Sequence, residues 1–239
     1  MNRTVDSNSS VLVIVPAYNE VESIGRVVEE ILAVPQIVDV LVVDDGSSDA
    51  TATAAREKGA AVIRLPFNCG IGVSVQTGLR VACDRGYRFV ARIDGDGQHD
   101  PGVLPALLAP LRDGKADLAI GSRYVTGEGF QSTPARRAGI RWFSALLNLA
   151  CGIRVTDPTS GCWAANSRAT ALLAEEYSPD YPEVDALVRL VRKGCSIAEV
   201  PTQMRERRSG RSSIGELDGL YYMAKVTIAL LIDRIRPRS

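Results

Sequence analysis

The chain has 239 residues, 28 Lys and Arg against 28 Asp and Glu, and 46% hydrophobic residues. That length suits one compact α/β domain, or one domain with a small appendage, and it buries a core without disulfides or a structural metal. With 23% charged residues and no formal net charge the composition excludes a disordered or membrane-embedded chain, and nucleic acid is not an expected partner.

Val11–Val15 is a short continuous apolar run, the pattern of a buried parallel strand, ending at Pro16. Val21 to Leu32 carries apolar residues at helical spacing (Val21, Ile24, Val27, Val28, Ile31) and stops before Pro35. Val38–Val43 predicts a second strand, Ser48 and Asp49 cap a helix running to about Gly59, and Ala61–Leu65 is a third strand. A helix over Gly72 to Arg85, a strand over Phe89–Ile93, a helix over Val103–Leu111 and a strand over Leu118–Ile120 continue the alternation. This rhythm predicts the α/β class, a Rossmann-like, doubly wound and mostly parallel sheet with helices on both faces.

Ligands of such sheets bind beyond the carboxyl ends of the strands. The residues there are Pro16 to Glu20, Asp44 to Ser47, Asn68, and Asp94 to His99, a concentration of carboxylates and turn formers. No G-x-G-x-x-G follows the first strand, no phosphate-binding G-x-x-x-x-G-K-[ST] occurs, and no G-x-S-x-G elbow is present. A dinucleotide enzyme, a P-loop nucleotidase and a serine hydrolase are therefore not expected. With no C-x-x-C pair and a single His, a Cys/His zinc site is not expected.

In the turn Asp94-Gly95-Asp96-Gly97-Gln98, two carboxylates stand two residues apart directly after a buried strand. The glycines let both side chains face one point. Two carboxylates and an amide oxygen make a hard, incomplete oxygen shell, suited to Mg²⁺ or Mn²⁺ bridged by a diphosphate. An ordinary Asp-Gly turn whose carboxylates cap the helix starting at Pro101 fits the motif equally well.

The cysteines, Cys69, Cys83, Cys151, Cys162 and Cys195, are odd in number and form no C-x-x-C pair. They read as buried free thiols of a reducing cytosol. Residues 1–10 read as a disordered tail, and the apolar run after them is too short for a signal peptide, so a cytoplasmic protein is expected.

Taken in order, the segments V-I-V-P-A-Y-N-E (13–20), V-V-D-D-G-S-S-D (42–49), N-C-G-I-G (68–72), D-G-D-G-Q-H (94–99), G-S-R-Y (121–124), D-P-T-S-G (157–161) and E-V-P-T-Q-M-R-E-R-R-S-G-R-S-S (199–213) resemble the family 2 glycosyltransferases of GT-A fold. The nearest resemblance is to the dolichol-phosphate mannose synthase-like, or polyprenyl-phosphate glycosyltransferase, branch. It implies a GT-A domain over 11–214 and a metal-dependent transfer of sugar from a nucleoside diphosphate, UDP- or GDP-linked, to a polyprenyl phosphate. It further implies that Pro16, Tyr18, Glu20, Asp45 and Asn68 contact the donor nucleotide. Asp94, Asp96 and Gln98 would hold the metal and donor diphosphate, Arg123 with Arg136 or Arg137 the acceptor phosphate, and Arg207 the donor phosphates. Asp96, Arg123 and Arg137 would be catalytic.

Two positions depart from that branch. Ser212-Ser213 stands where a Ser-Lys pair usual in dolichol-phosphate mannose synthases would end the last motif, and Pro182-Glu183-Val184-Asp185 stands where other family 2 enzymes carry a Glu-Asp base. Both resemble a bacterial branch of diverse donors and acceptors. An ionised phosphate acceptor needs no general base; a hydroxyl acceptor on a saccharide or metabolite requires one, and Asp157 or Glu183 are then the candidates. A non-catalytic nucleotide-sugar-binding subunit is the third reading.

From Pro201 onward seven Arg and one Lys face four acidic residues, a net of +4. Within 215–239, Leu217, Leu220, Tyr221, Ala224, Ile228, Leu231 and Ile235 form one helical stripe followed by Arg234, Arg236 and Arg238. That predicts an interfacial amphipathic helix too short to span a bilayer. Ile140–Ala150, with Trp142, Phe143, Leu146, Leu147 and Leu149, is a second surface of this kind, and core or dimer packing fits both equally. A chain peripheral on the inner face of a membrane is expected, with a membrane-protein partner or a second copy as further possible contacts.

Overall fold

The computed structural model describes residues 11–35, 39–125, 134–178 and 182–205. The expected N-terminal tail, Arg207 and the 215–239 helix lie outside the described residues, as does the side chain of Arg136.

The strands are β1 (Val11–Ala17), β2 (Asp39–Asp44), β3 (Ala61–Arg64), β4 (Phe89–Arg92), β5 (Leu118–Ser122), β6 (Trp163–Asn166) and β7 (Ile197–Pro201). The helices are α1 (Val21–Leu32), α2 (Thr51–Glu57), α3 (Ile71–Asp84), α4 (Leu104–Arg112), α5 (Pro134–Cys151), α6 (Ser167–Glu175) and α7 (Pro182–Arg192). The strands form one sheet in the order β3-β2-β1-β4-β6-β5-β7. β1 pairs in parallel with β2 and β4, β2 with β3, and β5 with β7.

β6 departs from the doubly wound expectation. It lies antiparallel between β4 and β5, with Trp163 opposite both Arg92 and Ile120. This reversal has a functional consequence. The carboxyl ends of β1 to β5 share one edge of the sheet, and an antiparallel strand begins where its neighbours end. The 157–161 loop, which leads into β6, is thereby delivered to the same edge as the acidic turn.

Alternation along β1 divides the interior in two. Leu12 and Ile14 join Leu41, Leu79, Phe143 and Leu187 on one face, beneath α3, α5, α6 and α7. Val11, Val13 and Val15 join Ile24, Val28, Leu104 and Leu108 on the other, beneath α1 and α4. Each such fully buried aliphatic side chain contributes roughly 1.5–3 kcal/mol, so both faces hold the sheet rigidly. α3 approaches β1 closely because position 78 is glycine: a Cβ there would lie 2.6 Å from Ile14 Cγ2.

Boundaries differ from the periodicity by a residue or two. α2 starts at Thr51, with the Asp49 carboxylate accepting the Thr51 N–H at 2.9 Å. A short 3-10 turn over Pro101–Val103 precedes α4 and is capped by Asp100, which accepts the Gly102 N–H at 2.9 Å. All five cysteines are free; Cys162 and Cys195 are buried, whereas Cys83 is exposed, contrary to a uniformly buried set. α5 divides its apolar residues, with Phe143 and Leu147 in the core and Trp142 and Leu149 exposed to 50% and 74%.

Candidate active site

Three loops at the carboxyl edge are bonded to one another through their backbones. Asp45 N–H donates to Ala17 O at 2.9 Å, and Gly95 N–H to Pro16 O at 3.2 Å. Asn19, in the left-handed region at φ 54°, receives the Ser48 N–H at 2.8 Å on Oδ1 and gives its own N–H to Ser47 Oγ at 2.9 Å. Ser23 Oγ donates to Gly95 O at 2.8 Å and lies 3.0 Å from Glu20 Oε2. Asn tolerates that backbone conformation better than most residues, which accounts for its place in the turn.

The acidic turn leaves β4 immediately after Arg92, a residue 1% exposed. Arg92 Nε and Nη2 both approach Asp94 Oδ1 at 3.0 Å, and Nη1 meets Glu183 Oε1 on α7 at 2.9 Å. Burial alone would lower the Arg92 guanidinium, but Asp94 and Glu183 more than offset it and hold it above its ordinary value. Asp94 Oδ2 faces the other way, 4.0 Å from His99 Nε2. A Cβ on Gly161 would overlap the Asp94 carboxylate, so the 157–161 loop closes over it only because position 161 is glycine. Asp96 Oδ1 accepts the Gln98 N–H at 3.0 Å, which sets the turn. The Pro101 turn is capped by Asp100.

His99 is 3% exposed and its Nδ1 has no hydrogen-bond partner. Burial lowers its tendency to take a proton, against the pull of Asp94 and Asp96. Among the described residues no three His, Cys, Asp or Glu side chains are grouped to hold a metal by themselves. Asp94, Asp96 and Gln98 carry oxygen donors of the type a hard cation takes.

The remaining expected residues are distributed around this centre. Pro16 is buried at the end of β1, and Tyr18 is 46% exposed beside it. Asp45 is 4% exposed, and its oxygens accept Cys69 N–H at 2.8 Å and Gly70 N–H at 2.9 Å, so it shapes the loop that carries Asn68. Asn68 Oδ1 accepts the same Gly70 N–H at 3.2 Å. Arg123, expected on the acceptor phosphate, is buried and closed on Asp157 through Nε at 2.6 Å and Nη2 at 2.7 Å, with Nη1 against Met204 Sδ at 3.4 Å. Arg137 is half-buried in the first turns of α5.

Sequence reasoning missed three contributors. Arg92 is one; its signal was a lone arginine inside an apolar strand. Glu199 of β7 is the second, accepting Thr156 N–H at 2.8 Å and Asp157 N–H at 3.1 Å and thereby fixing the loop before β6. The third is Arg205, whose N–H donates to Gln98 O at 2.8 Å while its guanidinium meets Glu30 at 2.6 Å and Asp100 at 3.1 Å. Arg205 is thereby tied to the acidic turn. No described helix is long and apolar enough to cross a membrane.

The chain is similar over most of its length to known glycosyltransferases. An undecaprenyl-phosphate mannosyltransferase of Micrococcus luteus is 38% identical over 217 residues, covering 85% of this chain and 87% of that one. A polyprenol monophosphomannose synthase of Mycolicibacterium smegmatis is 32% identical, covering 98% of this chain and 92% of that one. Glucosyl-3-phosphoglycerate synthase of Mycobacterium tuberculosis, solved with Mn²⁺, UDP and phosphoglyceric acid, superposes with a TM-score of 0.71 at 25% identity, covering 98% of this chain and 81% of that one. The sheet is therefore of GT-A type. The profile of glycosyl transferase family 2 matches residues 12–172, most of the motif-bearing chain, and the protein is a glycosyltransferase that belongs to that family.

Proposed function

We propose that the protein transfers a sugar, with inversion, from a UDP- or GDP-linked donor to a polyprenyl phosphate, with Mg²⁺ or Mn²⁺ at Asp94, Asp96 and Gln98. An acceptor phosphate oxygen attacks the anomeric carbon, and the bond from that carbon to the diphosphate breaks. When bound, the cation supplies neutralisation of the charge on the departing diphosphate. Pro16, Tyr18, Glu20 and Asn68 line the donor side, Asp45 orders the loop bearing Asn68, and Arg207 contacts the donor phosphates, as the family resemblance implies. Arg137, with Arg136, takes the acceptor phosphate. Arg123 acts by holding the 157–161 loop.

The observation that carries this reading is the state of the two carboxylates suited to act as a base. Asp157 is closed on Arg123 and Glu183 on Arg92. A phosphate monoester is ionised near neutral pH and reacts without a base, whereas a hydroxyl does not. The names of the Micrococcus and Mycolicibacterium relatives support the same acceptor class. That acceptor class supports a cytoplasm-facing position at the inner membrane surface, with Trp142 and Leu149 of α5 and the sequence-predicted amphipathic segment 215–239 as the contacting elements.

The tuberculosis synthase favours a second reading, transfer to a small hydroxyl acceptor. Release of nucleoside diphosphate from UDP- and GDP-sugars, measured with Mn²⁺ and either undecaprenyl phosphate or 3-phosphoglycerate, separates them. Stimulation by the lipid alone is expected. Stimulation by 3-phosphoglycerate alone would replace the proposal with the second reading.

A further inference from the structure

The Arg92 cluster is larger than an ion pair. One fully buried guanidinium lies between two carboxylates that come from distant parts of the chain, Asp94 in the acidic turn and Glu183 on α7. The two side chains are 26% and 18% exposed, so neither is sealed in with the guanidinium that anchors it. If Arg92 had only Asp94 to pair with, the two would form a neutral buried pair, and a neutralised carboxylate is a poor ligand for a cation. A second carboxylate on the same guanidinium leaves the group of three with one negative charge. Asp94 Oδ2, on the side away from Arg92 and toward Gly161 and His99, is where that charge is available.

We infer that Glu183 is a positioning residue: as counter-ion to Arg92 it leaves the Asp94 carboxylate its negative charge for a divalent cation, while Arg92 fixes the orientation of that carboxylate. The inference rests on the proposed reading that the cation binds at Asp94 and Asp96. It assigns Glu183 a part in holding the donor diphosphate rather than in deprotonating an acceptor. Partners of metal ligands tune affinity in this way, and their substitution typically lowers it about 10–100-fold.

The test is equilibrium binding of Mn²⁺, followed by the electron paramagnetic resonance signal of the free ion, with UDP or GDP present. The proteins are the full chain, Asp96→Ala, Glu183→Gln, and Arg92→Gln combined with Glu183→Gln. Glu183→Gln, isosteric with the native side chain, is expected to weaken Mn²⁺ binding roughly tenfold. In the double variant the guanidinium and its counter-ion leave together, and Mn²⁺ is expected to bind more tightly than to Glu183→Gln but less tightly than to wild type, because Arg92 no longer orients Asp94. A purely structural role for Glu183 predicts the opposite order, with the double variant the weaker binder. The inference fails if Glu183→Gln binds Mn²⁺ as wild type does, or if the double variant is no better than the single one. The single variant decides alone if the double variant does not fold, as judged by circular dichroism. Wild-type protein that binds no Mn²⁺ with either nucleotide would overturn the metal reading itself; binding abolished in Asp96→Ala but intact in Glu183→Gln would overturn only the role of Glu183.

Discussion

Arg123 and Asp157 are closed on each other inside the protein, at 6% and 0% exposure, through hydrogen bonds of 2.6 and 2.7 Å. Asp157 Oδ2 also lies 3.3 Å from the Arg123 N–H, so β5 and the loop before β6 are locked together. Arg123→Ala leaves a buried carboxylate without its partner, which costs about 3–5 kcal/mol. For a chain of this size a fall in Tm of roughly 10 °C is expected. A Tm within 2 °C of wild type, by calorimetry, would show that the pair does not hold the loop.

Gly161 sets the fit of the 157–161 loop over Asp94. A Cβ there meets the Asp94 carboxylate, which Arg92 holds at 3.0 Å, so either the loop or that ion pair must give way. Gly161→Ala should lower kcat roughly a hundredfold, the penalty for a misplaced functional group, and lower Tm as well. Unchanged turnover would mean that the Asp94 orientation is not needed.

Arg137 carries the proposed contact with the acceptor phosphate. A charge-assisted bond to phosphate is worth about 1.5–3 kcal/mol, so Arg137→Ala should raise KM for undecaprenyl phosphate at least roughly tenfold. Slow donor hydrolysis without acceptor should be unchanged. Equal loss of both activities would place Arg137 with the donor.

Asp117 gives the fold a defined acid sensitivity. Its carboxylate accepts Asn166 Nδ2 and Ser196 N–H, each at 2.8 Å, joining β5, β6 and the start of β7. Burial raises this carboxyl, but the bonds from Ser196 and Asn166 outweigh it and hold it below the ordinary aspartate range. With the folded value below the unfolded one, the unfolded chain binds more protons in that window. The stabilisation is therefore complete above the ordinary value and disappears as pH falls through the folded one. Urea midpoints compared at pH 6 and pH 3 should show a smaller acid loss for Asp117→Asn than for wild type; equal losses would contradict the assignment.

Legibility of the fold followed the length and periodicity of each segment. β1 to β5 and α1 to α4 were readable because apolar runs and helical spacing are bounded by Asp, Gly and Pro. β6 was not readable. Trp163-Ala164-Ala165-Asn166 is short, largely of small residues and buried on both faces, and its antiparallel insertion is fixed only by pairing with β4 and β5. The position of Asp94 and Asp96 followed from the rule that open sheets bind ligands beyond strand ends. Their partners did not. Arg92 lies within an apolar strand, and its second carboxylate comes from α7, so only tertiary packing identifies the trio. Arg123 and Asp157 were each visible, but their pairing with each other was not.

The central claim is that the acidic turn drives transfer of sugar to a lipid phosphate. Purified protein would be incubated with Mn²⁺, undecaprenyl phosphate and radiolabelled UDP- or GDP-sugars, and label extracted into butanol counted beside Asp96→Ala. The account predicts label in the lipid phase from one of these donors and a loss of at least about a hundredfold in the variant. Metal-dependent donor binding or hydrolysis with no label in the lipid phase would contradict it.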